Sequence, residues 1–280
     1  MLVNSKNILL KAKKEKYAVA HFNINNLEWT RYILEETNLL NVPVILGVSE
    51  GAIKYMGGVN IVSSMVKAMI SDLNITNDVV LHLDHGSSFA MCKKCIDAGF
   101  TSVMIDASRL PLEENIRITK EVVNYAHKYN VTVEGEIGEI GGAEDGLEGK
   151  NYNAKKEDVI YYVNETNLDS VAPALGSVHG LYKGLPKLDY ETMKDINNSI
   201  SIPLVLHGGT GILDEQIKKS ISCGIAKINI NTELQIAWSD AVKKYIKDNP
   251  NIYDPRKIIS SGESNIKKHI KDKISLLMNI

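Results

Sequence analysis

Eight apolar runs, most of them rich in Val, Ile and Leu, recur along this chain, and helical patterns fill the gaps between them. The runs cover residues 18–22, 42–48, 79–84, 102–106, 132–137, 170–174, 203–207 and 226–230. Near-continuous apolar character fits parallel strands covered on both faces, not strands with one wet side. One of the intervening patterns spans 111–129, opens on Pro111, and repeats Leu112, Ile116, Thr119, Val123 and Ala126 at helical spacing. Eight strands with helical crossovers predict an α/β chain folded as a (β/α)8 TIM barrel; a doubly wound open sheet is the competing arrangement. A length of 280 residues suits one such barrel, and no linker or low-complexity stretch divides it. We therefore expect a single barrel domain over 1–280, with 250–280 as a C-terminal extension. That extension holds Asp254-Pro255-Arg256 and a last helix near Glu263–Met278, extra to the barrel and available to another subunit.

A barrel concentrates chemistry at the carboxyl ends of its strands. Three histidines stand there, each before glycine: His85 in His82-Leu83-Asp84-His85-Gly86, His179 in Ser177-Val178-His179-Gly180, and His207 in Leu206-His207-Gly208-Gly209-Thr210-Gly211. Three neutral imidazoles from separate strand ends suit one catalytic Zn²⁺ with an open fourth position. Asp84 adjoins a ligand and, by strand alternation, points to the opposite side of the chain; a carboxylate so placed can move a proton to or from a bound hydroxyl, or orient a histidine. Asp106 and Glu136 end the fourth and fifth strands, and read either as ligands of a second metal position or as hydrogen-bonded carboxylates in the mouth. His82 shares the parity of Asp84 and reads as a supporting or core residue. His21, His127 and His269 read as structural. Lys227 lies deep in the last strand, where a packed or ion-paired lysine is favoured over Schiff-base chemistry.

The glycines Gly180, Gly208, Gly209 and Gly211 expose backbone N–H groups able to cradle phosphate, and the loops after strands seven and eight are the habitual phosphate site of such barrels. Lys183 adds a point charge nearby. Residues 138–153, rich in Gly, Glu and Asp, read as a mobile lid loop. The formal net charge of −2 gives no global attraction to nucleic acid or to a membrane surface. No apolar run approaches the roughly 20 residues of a membrane span, and no secretory signal opens the chain. Three cysteines make a disulfide framework improbable, and Cys92 and Cys95 read as helix packing. A cytoplasmic protein is expected.

Several runs resemble the class II, metal-dependent fructose-bisphosphate aldolases. They are His82-Leu83-Asp84-His85-Gly86, residues 102–108, Gly176-Ser177-Val178-His179-Gly180, His207-Gly208-Gly209-Thr210-Gly211 and Lys227-Ile228-Asn229-Ile230-Asn231-Thr232-Glu233. The resemblance extends from Phe22-Asn23 to Asp254-Pro255-Arg256, and departs from the family's usual residues at Gly135 and Glu139-Ile140. It implies reversible cleavage of fructose 1,6-bisphosphate to dihydroxyacetone phosphate and glyceraldehyde 3-phosphate. It makes His85, His179 and His207 the Zn²⁺ ligands, Asp84 the acid/base at the carbon-4 hydroxyl, and Asp106 and Glu136 ligands of a second divalent ion. It places Gly180, Gly208, Gly209, Thr210, Asn229, Ile230, Asn231 and Thr232 at dihydroxyacetone phosphate. Ser49 and Arg256 match positions at the other phosphate, Arg256 from a neighbouring subunit of a homodimer or homotetramer. Asn23 would steady the substrate, and Glu144 matches a proton shuttle for carbon 3. The resemblance also allows a monovalent cation.

Related aldolases act on tagatose 1,6-bisphosphate or on ketose phosphates of inositol breakdown; Asn231 and residues 47–52 favour the fructose group. Outside aldol chemistry, the same residues admit an isomerase or epimerase, and a non-catalytic zinc-binding module.

Overall fold

The computed structural model describes residues 1–144, 147–149, 153–180, 182 and 184–280. In chain order the strands are β1 (Val19–Asn23), β2 (Val44–Ser49), β3 (Val79–Gly86), β4 (Ser102–Ile105), β5 (Thr132–Ile137), β6 (Gly141–Glu144), β7 (Leu147–Gly149), β8 (Ser170–Pro173), β9 (Val178–His179), β10 (Leu204–Leu206) and β11 (Ile225–Ile230). Eight of them close a barrel in the order β1-β11-β10-β8-β5-β4-β3-β2, with every neighbouring pair parallel. Helices alternate with these strands, so the chain adopts the TIM barrel that the eight apolar runs predict. Each run overlaps one barrel strand, with ends displaced by a residue or two.

Strand alternation divides the wall into two faces. Outward residues such as Leu46, Leu81, Val103, Val133 and Ile228 pack under the helices in one large apolar core. The inward face is layered. Its floor is apolar: Val19, Ile45, Val80 and Ala226 meet Ile8, Leu9 and Ala12 of the N-terminal helix Lys6–Glu15, which plugs the lower end. Above the floor lies a polar layer of His21, His82, Glu134 and Lys227, all buried. Gly47 belongs to this layer by necessity, because a Cβ there would stand 1.7 Å from Nε2 of His21. Asn23, Asp84, His207 and Asn229 form the upper layer beneath the mouth.

One expectation needs correction. The region 138–153, read as a loop, carries β6 and β7, which pair antiparallel; β6 also pairs in parallel with β9, making a small three-stranded sheet above the barrel. Alternation alone could not show this, since four- and three-residue strands rich in glycine leave no periodic signal. The C-terminal helix Glu263–Met278 packs one face on its own chain. It buries Ile266, Ile270, Ile274 and Leu277 against this chain, packing on the helices Leu27–Leu39 and Thr232–Asp248. Ion pairs of Lys267 with Glu35 (2.6 Å) and Arg31 with Glu263 (3.0 Å) lace the same seam.

Candidate metal centre

His85, His179 and His207 converge. One ligand atom from each lies within 4.8 Å of the others. The ring centroids of His85 are 5.0 Å from His179 and 4.7 Å from His207. Each histidine arrives by a different device. His207 follows β10 directly and is buried. His85 has a left-handed φ of 50°, uncommon for a side chain this large. The pairing of β3 with β4 also slips between Leu83 and Gly86. Together these turn His85 back into the mouth beside Asp84. Strict alternation would have sent the two residues to opposite faces, so that expectation is corrected. His179 belongs to β9, outside the barrel wall, and is held through β6.

Two carboxylates fix the ring tautomers. Asp106 Oδ2 is 2.9 Å from Nδ1 of His85, and Glu134 Oε1 is 2.9 Å from Nε2 of His207. With those nitrogens donating N–H, His85 Nε2 and His207 Nδ1 face each other at 2.9 Å with a lone pair each. Two lone pairs at that separation repel unless a cation lies between them. Burial lowers the pKa of His207, although its Glu134 hydrogen bond acts the other way, so the ring favours the neutral, ligating form. The donor set therefore fits a divalent metal. Burial works to raise the Asp106 carboxyl, but hydrogen bonds from His85 and Ser108 outweigh it and hold the group well below the usual range. Glu136 Oε2 stands 3.9 Å from Nδ1 of both His85 and His207. His85, Asp106 and Glu136 also satisfy the spacing of a metal cluster.

The residue missed by sequence reading is Glu134. It anchors His207 and receives Lys227 Nζ at 2.9 and 2.8 Å. Burial pushes its carboxyl upward, yet Lys227 and the His207 hydrogen bond outweigh that and keep it ionised. The signal was present: Glu134 and Glu136 share one strand face, and the deep Lys227 needed a partner.

Asp84 is buried on the lumen side. Its Oδ2 accepts from Asn23 Nδ2 at 2.8 Å and its Oδ1 from Asn229 Nδ2 at 3.2 Å. Asn23 and Asn229 thus orient a carboxylate. A cavity of about 780 Å³ opens over His85, His179, Asp106, Glu136 and Ser49.

The glycine turn after His207 also takes shape. Gly208 (φ 67°) lets the turn pass Val178, whose carbonyl oxygen would lie 2.1 Å from any Cβ there. Tyr182 Oη ties the loop together, donating to the Gly208 carbonyl at 3.0 Å and accepting from Val178 N–H at 3.1 Å. Gly180, Gly209 and Thr210 lie in these same loops, and Asn231 and Thr232 begin the helix after β11. The Ile230 side chain packs in the outer core, so its backbone is the part that could meet a ligand. Arg256 is 89% exposed, forked onto Asp254 (3.0 Å), and absent from the cavity lining. Lys183 and the side chain of Glu144 lie outside the described residues.

Residues 3–280 match the family model described as fructose-bisphosphate aldolase class-II. The chain is 55% identical over 274 residues to a fructose-bisphosphate aldolase of Geobacillus stearothermophilus, covering 98% of this chain and 96% of the relative. It is 53% identical over 275 residues to a fructose-bisphosphate aldolase of Staphylococcus epidermidis, with the same coverage of 98% and 96%. Among solved structures, the YdjI aldolase of Escherichia coli K12 superposes with a TM-score of 0.86 at 32% identity, over 99% of this chain and 97% of that one. A fructose-bisphosphate aldolase from Campylobacter jejuni gives 0.84 at 25% identity, over 100% and 96%.

Proposed function

The chain belongs to the class II fructose-bisphosphate aldolase family, and we propose that its three strand-end histidines hold the catalytic metal of that chemistry. The enzyme is a lyase that reversibly cleaves fructose 1,6-bisphosphate to dihydroxyacetone phosphate and glyceraldehyde 3-phosphate. The observation that carries the assignment of the centre is the 2.9 Å approach of His85 Nε2 to His207 Nδ1, each ring meeting a carboxylate at its other nitrogen, with His179 completing the triangle.

When bound there, Zn²⁺ supplies Lewis-acid stabilisation of the negative charge that builds as the bond between carbons 3 and 4 breaks. The chain's own residues do the rest. Asp84, held at both oxygens by Asn23 and Asn229, takes the proton of the carbon-4 hydroxyl, and the aldehyde departs. Backbone N–H groups of Gly180, Gly208, Gly209 and Thr210, with those at Asn229 through Thr232, hold the phosphate of the dihydroxyacetone half. Lys183 adds charge to that end, and Glu144 returns the proton to carbon 3. Anchoring remote phosphate in this way spends binding energy on orientation at the reacting carbons.

Ser49 receives the second phosphate, joined by Arg256 from a neighbouring subunit of a homodimer or homotetramer. The exposure of Arg256 away from its own cavity supports that arrangement. His85, Asp106 and Glu136 form a second divalent position, and a monovalent cation assists at the phosphate. Among the described residues no helix is long and apolar enough to cross a membrane, which supports a cytoplasmic setting.

The test is metal removal. Chelation is expected to abolish cleavage and Zn²⁺ to restore it, whereas Asp84→Asn is expected to keep the metal and lose at least 10²-fold in kcat. Borohydride reduction with substrate should leave the protein mass unchanged. A substrate adduct on Lys227 would overturn the metal mechanism.

A further inference from the structure

Directly beneath Asp84 the lumen holds a second set of donors. His21 is wholly buried, and neither of its ring nitrogens has a hydrogen-bond partner. His82 is also buried; Ser102 Oγ holds its Nδ1 at 2.8 Å, while its Nε2 has no partner. The two rings meet edge to face at 5.5 Å. Asp84 Oδ2 lies 3.6 Å from His21 Nε2, and one ligand atom from each of the three residues lies within 4.8 Å of the others. A separation of 3.6 Å is too long for a hydrogen bond. It is close to the roughly 3.4 Å between two ligand atoms on one tetrahedral ion with bonds near 2.1 Å.

Buried polar groups are almost always satisfied, so two buried rings with unpartnered nitrogens, gathered with one carboxylate, call for an occupant. Burial and the nearby Lys227 keep both rings neutral, which leaves them able to ligate. Lys227 does not repel a cation outright, because Glu134 cancels its charge at 2.8 Å. A dication in this space meets the single negative charge of Asp84, and two nitrogens with one oxygen suit a first-row divalent metal.

We propose that His21, His82 and Asp84 form a separate, inhibitory site for a divalent cation of the Zn²⁺ class, distinct from the three-histidine centre and from the position at His85, Asp106 and Glu136. Its inhibitory effect rests on the reading of Asp84 as the acid/base. An ion bound there ligates the carboxylate oxygen that must accept the carbon-4 proton, so an occupied site stops cleavage while the catalytic metal stays in place. Asp84 stands between Asn23 and Asn229 above and the two histidines below.

The experiment titrates Zn²⁺ into full-length protein already carrying its catalytic metal. Retained metal is counted by mass spectrometry after gel filtration, and triose release is followed in parallel. Wild-type protein is expected to retain one more equivalent than His21→Gln, and to lose at least tenfold in cleavage rate as it does so. His21→Gln should require at least tenfold more Zn²⁺ for half-inhibition, each protein being compared with its own rate before the excess. Gly47→Ala, whose Cβ would stand 1.7 Å from His21 Nε2 and displace the ring, should behave like His21→Gln with both histidines still present. Equal metal content and superimposable inhibition curves across the three proteins would overturn the proposal and leave a water molecule as the occupant. The metal count does not depend on activity, so it still decides the site if cleavage fails for another reason. Should both variants misfold, a Co²⁺ titration of the wild type decides: no further visible absorption band after the catalytic metal is in place sinks the idea.

Discussion

His207 and His179 serve the same centre from opposite kinds of support. His207 stands at the end of a barrel strand, buried, with Glu134 behind it and Lys227 behind Glu134. His179 stands on a strand of two residues outside the wall, paired only with the hairpin strand β6. The first ligand is fixed by a charged stack inside the most stable part of the molecule. The second is fixed by backbone fit to a surface sheet, where the glycines Gly142 and Gly208 allow close approach. An ion held by both histidines would join the barrel to the element that carries Glu144. The comparison says that metal affinity and global stability should fall together when the His207 side is damaged, and separate when the His179 side is damaged.

The largest effect is expected from Lys227→Met. It leaves the Glu134 carboxylate buried without its countercharge, and breaking a buried pair from one side costs about 3–5 kcal/mol. The orientation of His207 fails with it, so Zn²⁺ affinity should drop by about 10- to 100-fold. Urea unfolding and chelator competition measure the two losses on the same sample. Wild-type stability combined with weakened metal binding would break the comparison, because it would mean the charged stack tunes His207 without supporting the barrel.

Next comes Gly142→Ala. The residue has φ 93°, and a Cβ would stand 2.1 Å from the carbonyl oxygen of His179 and 2.8 Å from its nitrogen. The β6–β9 pairing must shift and carry His179 with it. Zn²⁺ affinity should fall by about tenfold, with stability lowered by only about 1 kcal/mol, since the strain sits outside the barrel core. Gly184→Ala supplies the control: φ is 107°, but among the described residues a Cβ there meets nothing within 4 Å. It carries the same backbone strain and should leave metal affinity unchanged. If the two substitutions weaken metal binding equally, backbone strain and not the contact with His179 is responsible.

What could be read from the sequence divides along the same line. The barrel was legible because eight apolar runs with helical spacers have few other solutions, and the three histidines because each closes a strand before glycine. Illegible features depended on geometry that a residue string does not carry. The left-handed turn at His85 reverses a parity argument that holds for every ordinary strand residue. The β6–β9 pairing joins segments some 35 positions apart through strands too short and glycine-rich to show a period. Glu134 was hidden by its neighbour: of two acidic residues on β5, the one at the strand end drew attention, while the deeper one anchors the metal ligand. The intrachain packing of the C-terminal helix was equally out of reach, because its partners, Leu27–Leu39 and Thr232–Asp248, are brought beside it by closure of the barrel.

Gly135 gives the smallest expected effect on the metal and the sharpest check on where rigidity matters. It sits between Glu134 and Glu136, the acidic pair of the centre, so sequence proximity alone would predict a strong effect from any change. Its missing side chain points the other way, into the wall, where Tyr162 Oη would lie 2.1 Å from a Cβ. That hydroxyl is itself fixed, with Thr119 Oγ1 at 2.8 Å. Gly135→Ala therefore overpacks the outer core and should cost about 1–3 kcal/mol in urea unfolding. Zn²⁺ affinity should stay within about twofold of wild type, because the two flanking glutamates face the lumen and β5 is held on both sides by β4 and β8. A tenfold loss of affinity would show that strain passes through the strand from wall to lumen. The division between barrel rigidity and metal geometry would then fail at the strand where it ought to be strongest.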